Sequence, residues 1–279
     1  MPELPEVETV RRDLHAAGLP GLVVQDTEVS WARSVGGDSA AFREALVGRT
    51  VREVGRRGKY LLMPLAPEGH LLCHLRMSGR LFLQPVEAPR SGYERVILRM
   101  SDGRELRFDD TRKFGRLLFV TEPQDILSPL GVEPLSPDFT GAACERLLAG
   151  RGMRIKPLLL GQRVVAGLGN IYADEALWTA SVHPARPAAS LSRVECHRLR
   201  DAIVEVLERG VRNLGTSLGH GKTNFIFPDR DSQARNQEEL RVFQRTGLPC
   251  PRCGTPVSRI MLAQRATHLC ERCQRPGIS

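Results

Sequence analysis

Residues 250–273 read CPRCGTPVSRIMLAQRATHLCERC. Cys250 and Cys253 form one CxxC pair, and Cys270 and Cys273 form a second, sixteen residues on. This is zinc-ligand spacing: four thiolates close a tetrahedron and leave no open position for catalysis. Between the knuckles, VSRIMLAQ and RATHLC suit two strands that turn near Ala263 and Gln264. The stretch therefore predicts a β-hairpin zinc finger holding one structural Zn2+, with Arg265 near its tip. On the finger alone, a DNA contact and a plain structural knuckle stay equally open. The other three cysteines, Cys73, Cys144 and Cys196, lie in apolar or helical contexts and read as small buried side chains.

The chain has 279 residues, enough for about two domains. It is 41% hydrophobic. It contains no run of about 18 apolar residues, so no membrane span is expected. Its start lacks the basic stretch and apolar core of a signal peptide, which points to the cytoplasm. The net charge of +8 favours a polyanionic partner, either nucleic acid or an anionic membrane. Of 40 basic residues only four are lysine: Lys59, Lys113, Lys156 and Lys222. A chain that uses arginine almost everywhere marks its lysines as places where a compact, titratable ammonium is needed.

Residues 2 to about 16 predict a helix, with Leu4, Val7, Val10 and Leu14 on one face and Pro5 tolerable in the first turn. Glu3 and Glu6 lie three apart and share a face, where acidic groups also favour the helix dipole. From about 22 to 121 short alternating segments predict strands, with a hairpin turn at Asp102-Gly103 and one helix at about 39–46. Strands without intervening helices indicate an antiparallel sandwich or barrel. Residues 122–139 are rich in Pro and turn formers and read as a linker. Helices follow: one capped by Thr140, two short ones in RIKPLLLG and GNIYADEALWTA, and one from a Ser192–Glu195 capping box to Gly215. Residues 216–238 show no period and read as a long functional loop.

Three segments in chain order carry a family resemblance: PELPEVET from residue 2, GLGNIYADEALW in the helical part and the four-cysteine finger. Together they resemble bacterial formamidopyrimidine-DNA glycosylase, over essentially the whole chain. The resemblance implies an α+β fold: an N-terminal antiparallel β-sandwich flanked by helices, a helix–two-turn–helix domain and the finger. The implied boundaries are 1–125 for the catalytic sandwich, 126–139 for the linker, 140–238 for the helical domain with its lesion-site loop, and 239–279 for the finger. It also implies a base-excision repair enzyme that removes 8-oxoguanine and formamidopyrimidines and then cleaves the abasic strand by β,δ-elimination. The implied partner is double-stranded DNA with oxidised bases or abasic sites, bound by a monomer.

The resemblance assigns the chemistry residue by residue. Met1 is removed, and the secondary amine of Pro2 attacks C1′ to form a Schiff base. An α-amino group has a reference pKa near 8, so a useful fraction is unprotonated at neutral pH. Glu3 matches the general acid/base and Glu6 a second carboxylate. Lys59 matches the lysine at the lesion, Lys156 a second lysine near lesion and phosphate, and Arg265 the finger arginine at the phosphate. A flipped base leaves a void, and Met77, Arg112 and Phe114 match the wedge that fills it. For Met77 and Phe114 the residues alone favour core packing. Lys113, Asn170, His74, Tyr93 and Arg151 are the remaining expected DNA contacts. Asn170 also reads as a helix N-cap, His74 equally as a buried structural histidine, and Lys222 as a solvated charge. The chain departs from the family pattern at Gly161, where Asp is usual, at Tyr93, where His is usual, and along the 216–238 loop. Two other functions stay open: the sibling endonuclease VIII-like specificity for oxidised pyrimidines, which tends to begin PEGPEI, and a non-catalytic zinc-finger DNA-binding protein.

Overall fold

The computed structural model describes residues 1–216 and 234–276. Lys222 and most of the expected long loop lie outside the described residues. The chain groups into two compact units, residues 1–128 with 214–235 and residues 129–213 with 236–279.

The first unit opens on α1 (Leu4–Ala16), which begins two residues later than the periodicity predicts because Glu3 is its N-cap, with extended backbone. Pro5 falls in the first turn, where a missing N–H costs nothing. Leu4, Val7, Val10 and Leu14 are buried, as their spacing requires. After β1 (Val24–Val29) comes α2 (Ser39–Leu46), capped by Asp38, whose Oδ1 accepts from the Ala40 and Ala41 N–H groups. Eight further strands follow: β2 (Thr50–Val51), β3 (Gly55–Arg57), β4 (Tyr60–Ala66), β5 (His70–His74), β6 (Arg80–Pro85), β7 (Glu94–Met100), β8 (Arg104–Asp109) and β9 (Arg116–Val120). The short helix α3 (Gln124–Leu127) ends the run.

These strands build two antiparallel sheets. One has the order β1-β7-β8-β6; the other has β2-β4-β5-β9 with β3 also beside β4. Val96, Leu98, Leu106 and Phe108 from the first sheet and Leu61, Met63, Leu71, Cys73 and Leu117 from the second share one apolar cluster with α1 and α2. This is the expected sandwich. Asp102-Gly103 lies in the β7–β8 turn, with Gly103 at φ +84°. A buried pair on β8 holds the connection that follows β6: Arg107 Nε donates to Glu105 Oε2 at 2.8 Å, and its Nη groups donate to the carbonyls of Pro85, Val86, Ala88 and Pro89.

The second unit holds α4 (Gly141–Leu148), α5 (Ile155–Leu160), α6 (Asn170–Thr179) and α7 (Arg193–Arg212), with the hairpin β10 (Ser258–Leu262) and β11 (Arg265–Leu269). Thr140 caps α4 by accepting from the Ala143 N–H. The predicted capping box on α7 is present, and the Arg186 guanidinium holds the Glu195 carboxyl down at about 2. The helix stops at Arg212 rather than Gly215, because Leu214 and Gly215 both take left-handed φ. The finger hairpin turns where expected, with Ala263 and Gln264 at positive φ, as a two-residue turn between twisted strands requires.

Phe108 is fully buried in the sandwich core. Phe108→Ala is expected to lower stability by about 3–5 kcal/mol, read as a lower urea midpoint at unchanged slope.

Candidate active site and metal centre

In the first unit the amino terminus is held among charged groups. Glu6 is buried, and both its oxygens accept from main-chain amides: Oε2 from the Glu3 N–H at 2.8 Å and Oε1 from the Thr216 N–H at 2.7 Å. Glu3 and Pro2 are buried too. Lys59 is 5% exposed although it sits in a two-residue hairpin turn, Gly58-Lys59 between the paired Arg57 and Tyr60, with Gly58 at φ +55°. Burial holds the terminal amine below its usual proton affinity. Glu3 and Glu6 push the other way, while Lys59 and Arg112 add to the depression. That amine belongs to Met1 here, so the Pro2 nitrogen is an amide. Removing Met1 would transfer the amine to the pyrrolidine ring. An unprotonated amine carries the free lone pair that a nucleophile requires.

Two adjacent loops carry the expected wedge. Phe114 is 50% exposed and is therefore not a core residue, and the Arg112 guanidinium lies 5.4 Å from its ring centroid. Met77 is half-buried. The Lys113 ammonium sits 4.3 Å from the centre of the Trp31 ring, a cation–π contact that also anchors its loop. His74 is buried; desolvation, helped by Arg76 and Lys59, holds its pKa at about 3. Its Nδ1 accepts from the Arg76 N–H, which leaves Nε2 as the proton-bearing nitrogen of a neutral ring. Tyr93 is half-buried, its ring 5.8 Å from the Arg95 guanidinium.

In the second unit Lys156, the second lysine of the resemblance, is engaged within the chain. It is fully buried, 2.6 Å from Asp174 Oδ1, and donates to Thr267 Oγ1 at 2.8 Å and to the Ala266 carbonyl at 3.0 Å. Asp174 Oδ2 accepts from the His268 N–H. Asn170 is the first residue of α6, and Gly169, not Asn170, is the N-cap. The Asn170 Nδ2 group donates to the Ala266 carbonyl. These bonds tie α5 and α6 to β11, whose first residue is the exposed Arg265. Arg151 is exposed and donates to the Leu147 carbonyl. At Gly161 the departure from the family pattern leaves the helix end regular, since its N–H still donates to Pro157 and Leu158. Gln162 accepts from the Gly167 N–H and holds the turn that leads to Asn170.

The four finger cysteines have their sulfurs within 4.8 Å of one another, with 4.0 Å between Cys250 and Cys273 and 3.4 Å between Cys253 and Cys270. A tetrahedron with bonds of about 2.3 Å has sulfur–sulfur edges of about 3.8 Å. The residues therefore fit one structural Zn2+, and the thiolate set leaves no room for a reacting ligand. Trp178, Val242 and Val257 pack against this cluster.

Three residues escaped the sequence reading: Asp110, Ser78 and Asp174. Only Asp110 left a signal, as the second acid of DDTRKFG directly before the wedge loop.

Three family models match in chain order. They are the formamidopyrimidine-DNA glycosylase N-terminal domain over residues 1–117, the H2TH domain of the same enzymes over 130–220, and the zinc finger found in FPG and IleRS over 247–276. This set defines a zinc-fingered glycosylase of the helix–two-turn–helix type. Over 276 residues the chain is 41% identical to the formamidopyrimidine-DNA glycosylase of Protochlamydia amoebophila, covering 99% of this chain and all of that one. It superposes on the Lactococcus lactis Fpg in complex with abasic-site DNA with a TM-score of 0.88 at 35% identity, covering 98% and 99% of the two chains. A complex of the same wild-type protein with DNA containing an oxidized pyrimidine gives 0.88 and 35%, over 98% and 100%. The chain belongs to the formamidopyrimidine-DNA glycosylase family.

Lys156→Met leaves the buried Asp174 without its ammonium partner and is expected to destabilise the protein by about 3–5 kcal/mol, with partial recovery in Lys156→Met/Asp174→Leu, measured by urea unfolding. Metal analysis is expected to find about one zinc per chain, and markedly less in Cys253→Ser.

Proposed function

We infer that this chain is a base-excision repair glycosylase that removes oxidised purines from duplex DNA and then cleaves the abasic strand. The observation that carries the reading is the amino terminus of a member of this family: Pro2 and Glu3 are buried, the Glu3 N–H is held by Glu6, and Lys59 is buried in the same unit. In the proposed reaction Met1 is gone and the Pro2 nitrogen attacks C1′. The N-glycosidic bond breaks, and the base leaves with its bonding pair and gains a proton; the attacking nitrogen loses its proton, and the C1′–O4′ bond then opens, its pair taking a proton on O4′, to leave the sugar as a ring-opened iminium. Loss of a C2′ proton expels the 3′ phosphate, and a second elimination expels the 5′ phosphate. Glu3 moves protons at the opening sugar, and Lys59 serves the eliminations.

Glu6 has a different part in this reading. With each oxygen engaged by a main-chain amide, it holds the first residues in place. Met77, Arg112 and Phe114 form the wedge, and Arg265 and Asn170 contact the backbone. The Zn2+, when bound, supplies no reaction step; it holds the hairpin that presents Arg265. Among the described residues no helix is long and apolar enough to cross a membrane. A cytoplasmic monomer acting on chromosomal DNA completes the proposal.

A second specificity has one supporting observation: the L. lactis relative was crystallised with an oxidized-pyrimidine DNA. Incision of matched duplexes separates the two. The protein is expected to nick 8-oxoguanine and formamidopyrimidine duplexes faster than an oxidised-pyrimidine duplex; the reverse order would establish the sibling specificity. Glu3→Gln is expected to slow base release by about 10²–10⁴-fold while leaving binding intact, as loss of a general acid does. Unchanged release would remove Glu3 from the mechanism.

A further inference from the structure

The wedge candidates stand on two different connections that cross between the two sheets, and one buried carboxylate joins them. Residues 75–79 link β5 to β6 and carry Met77; residues 110–115 link β8 to β9 and carry Arg112 and Phe114. Asp110 is 0% exposed. Its Oδ1 accepts from the Ser78 hydroxyl at 2.5 Å, in the first loop, and from the Arg112 N–H at 3.1 Å, in the second. Its Oδ2 accepts from the Gly115 N–H at 2.6 Å. The Ser78 hydroxyl also accepts from the Arg112 N–H at 3.2 Å.

Both loops are under local constraint. Arg76 and Lys113 hold left-handed φ of 55° and 61°, an unfavourable conformation for side-chain-bearing residues unless the surroundings enforce it. A Cβ on Gly115 would lie 2.4 Å from the Phe108 ring, and one on Gly79 2.5 Å from the Leu75 carbonyl oxygen. The loops thus have little freedom, and the spacing of Met77 relative to Arg112 and Phe114 passes through Asp110.

We propose that Asp110 is the positioning residue for base extrusion: it fixes Met77, Arg112 and Phe114 as one rigid wedge without touching the substrate. The proposal rests on the wedge reading given above. It explains why a carboxylate is kept here at the cost of burial. Hydrogen bonds to an ionised acceptor are stronger than neutral ones, and a carboxylate can accept from three donors on two loops at once.

Asp110→Asn tests it. The amide keeps one acceptor oxygen but turns a donor towards a donor, leaving a buried N–H without a partner. The same lesion is placed in a fully paired duplex and in an unpaired bubble, where unstacking costs less. Single-turnover base release from the paired lesion is expected to slow by about tenfold or more, with release from the bubble within about twofold of wild type. Equal slowing on both substrates, or no slowing on the paired one, overturns the proposal. Should Asp110→Asn not fold, Ser78→Ala removes one of the three bonds and is judged by the same ratio. Phe114→Ala reports on the wedge reading separately: if it loses no more on the paired lesion than on the bubble, there is no wedge to position. A wild-type protein that releases neither lesion removes the proposed function itself, and this proposal falls with either.

Discussion

Glu6 has almost no access to water, and both its oxygens are occupied by main-chain N–H groups, one at the head of α1 and one at Thr216. Chain termini ordinarily fray because nothing offsets the entropy of ordering them. Here the first residues are fixed from both sides: a helix whose apolar face is locked into the sandwich core, and a carboxylate that clamps the residue before it. Gly215 is part of the same constraint. It has φ +81°, and a Cβ there would come within 3.0 Å of the Glu6 carboxylate. An amine at the end of a clamped segment can be kept close to Lys59 and Glu3; an amine on a free tail could not.

The lysines show how chemistry is separated from scaffolding. Arginine serves nearly everywhere in this chain, and the described lysines occupy three unlike settings. Lys59 is buried in a tight turn beside the amine. Lys113 lies on the Trp31 face. Lys156 is sealed in an ion pair with Asp174 that joins helices to the finger hairpin. Scarcity identifies a residue as special; it does not say whether the reason is reactivity or packing.

Much of the fold was legible in the sequence, for physical reasons that work locally. Apolar spacing gave α1, the Ser192–Glu195 box gave the start of α7, Asp102-Gly103 gave a hairpin, and four cysteines gave the finger. Where local rules compete, the sequence misled. Asn170 is a good cap residue, but Gly169 takes the cap and Asn170 reaches across to Ala266. Nothing local announces the ion partner of Lys156 either: Asp174 is eighteen residues away and becomes visible only once α5 and α6 pack. Asp110 was equally hidden, because its acceptor role depends on Ser78, thirty-two residues earlier, arriving beside it.

The central claim is that the terminal amine, and not a lysine, forms the covalent intermediate. Reduction with borohydride during turnover on an abasic duplex traps the iminium as a stable amine. Proteolysis and mass spectrometry of the trapped species then identify the modified peptide. The account predicts sugar mass on the peptide that begins at Pro2, with Met1 absent; sugar mass on the peptide containing Lys59 would contradict it.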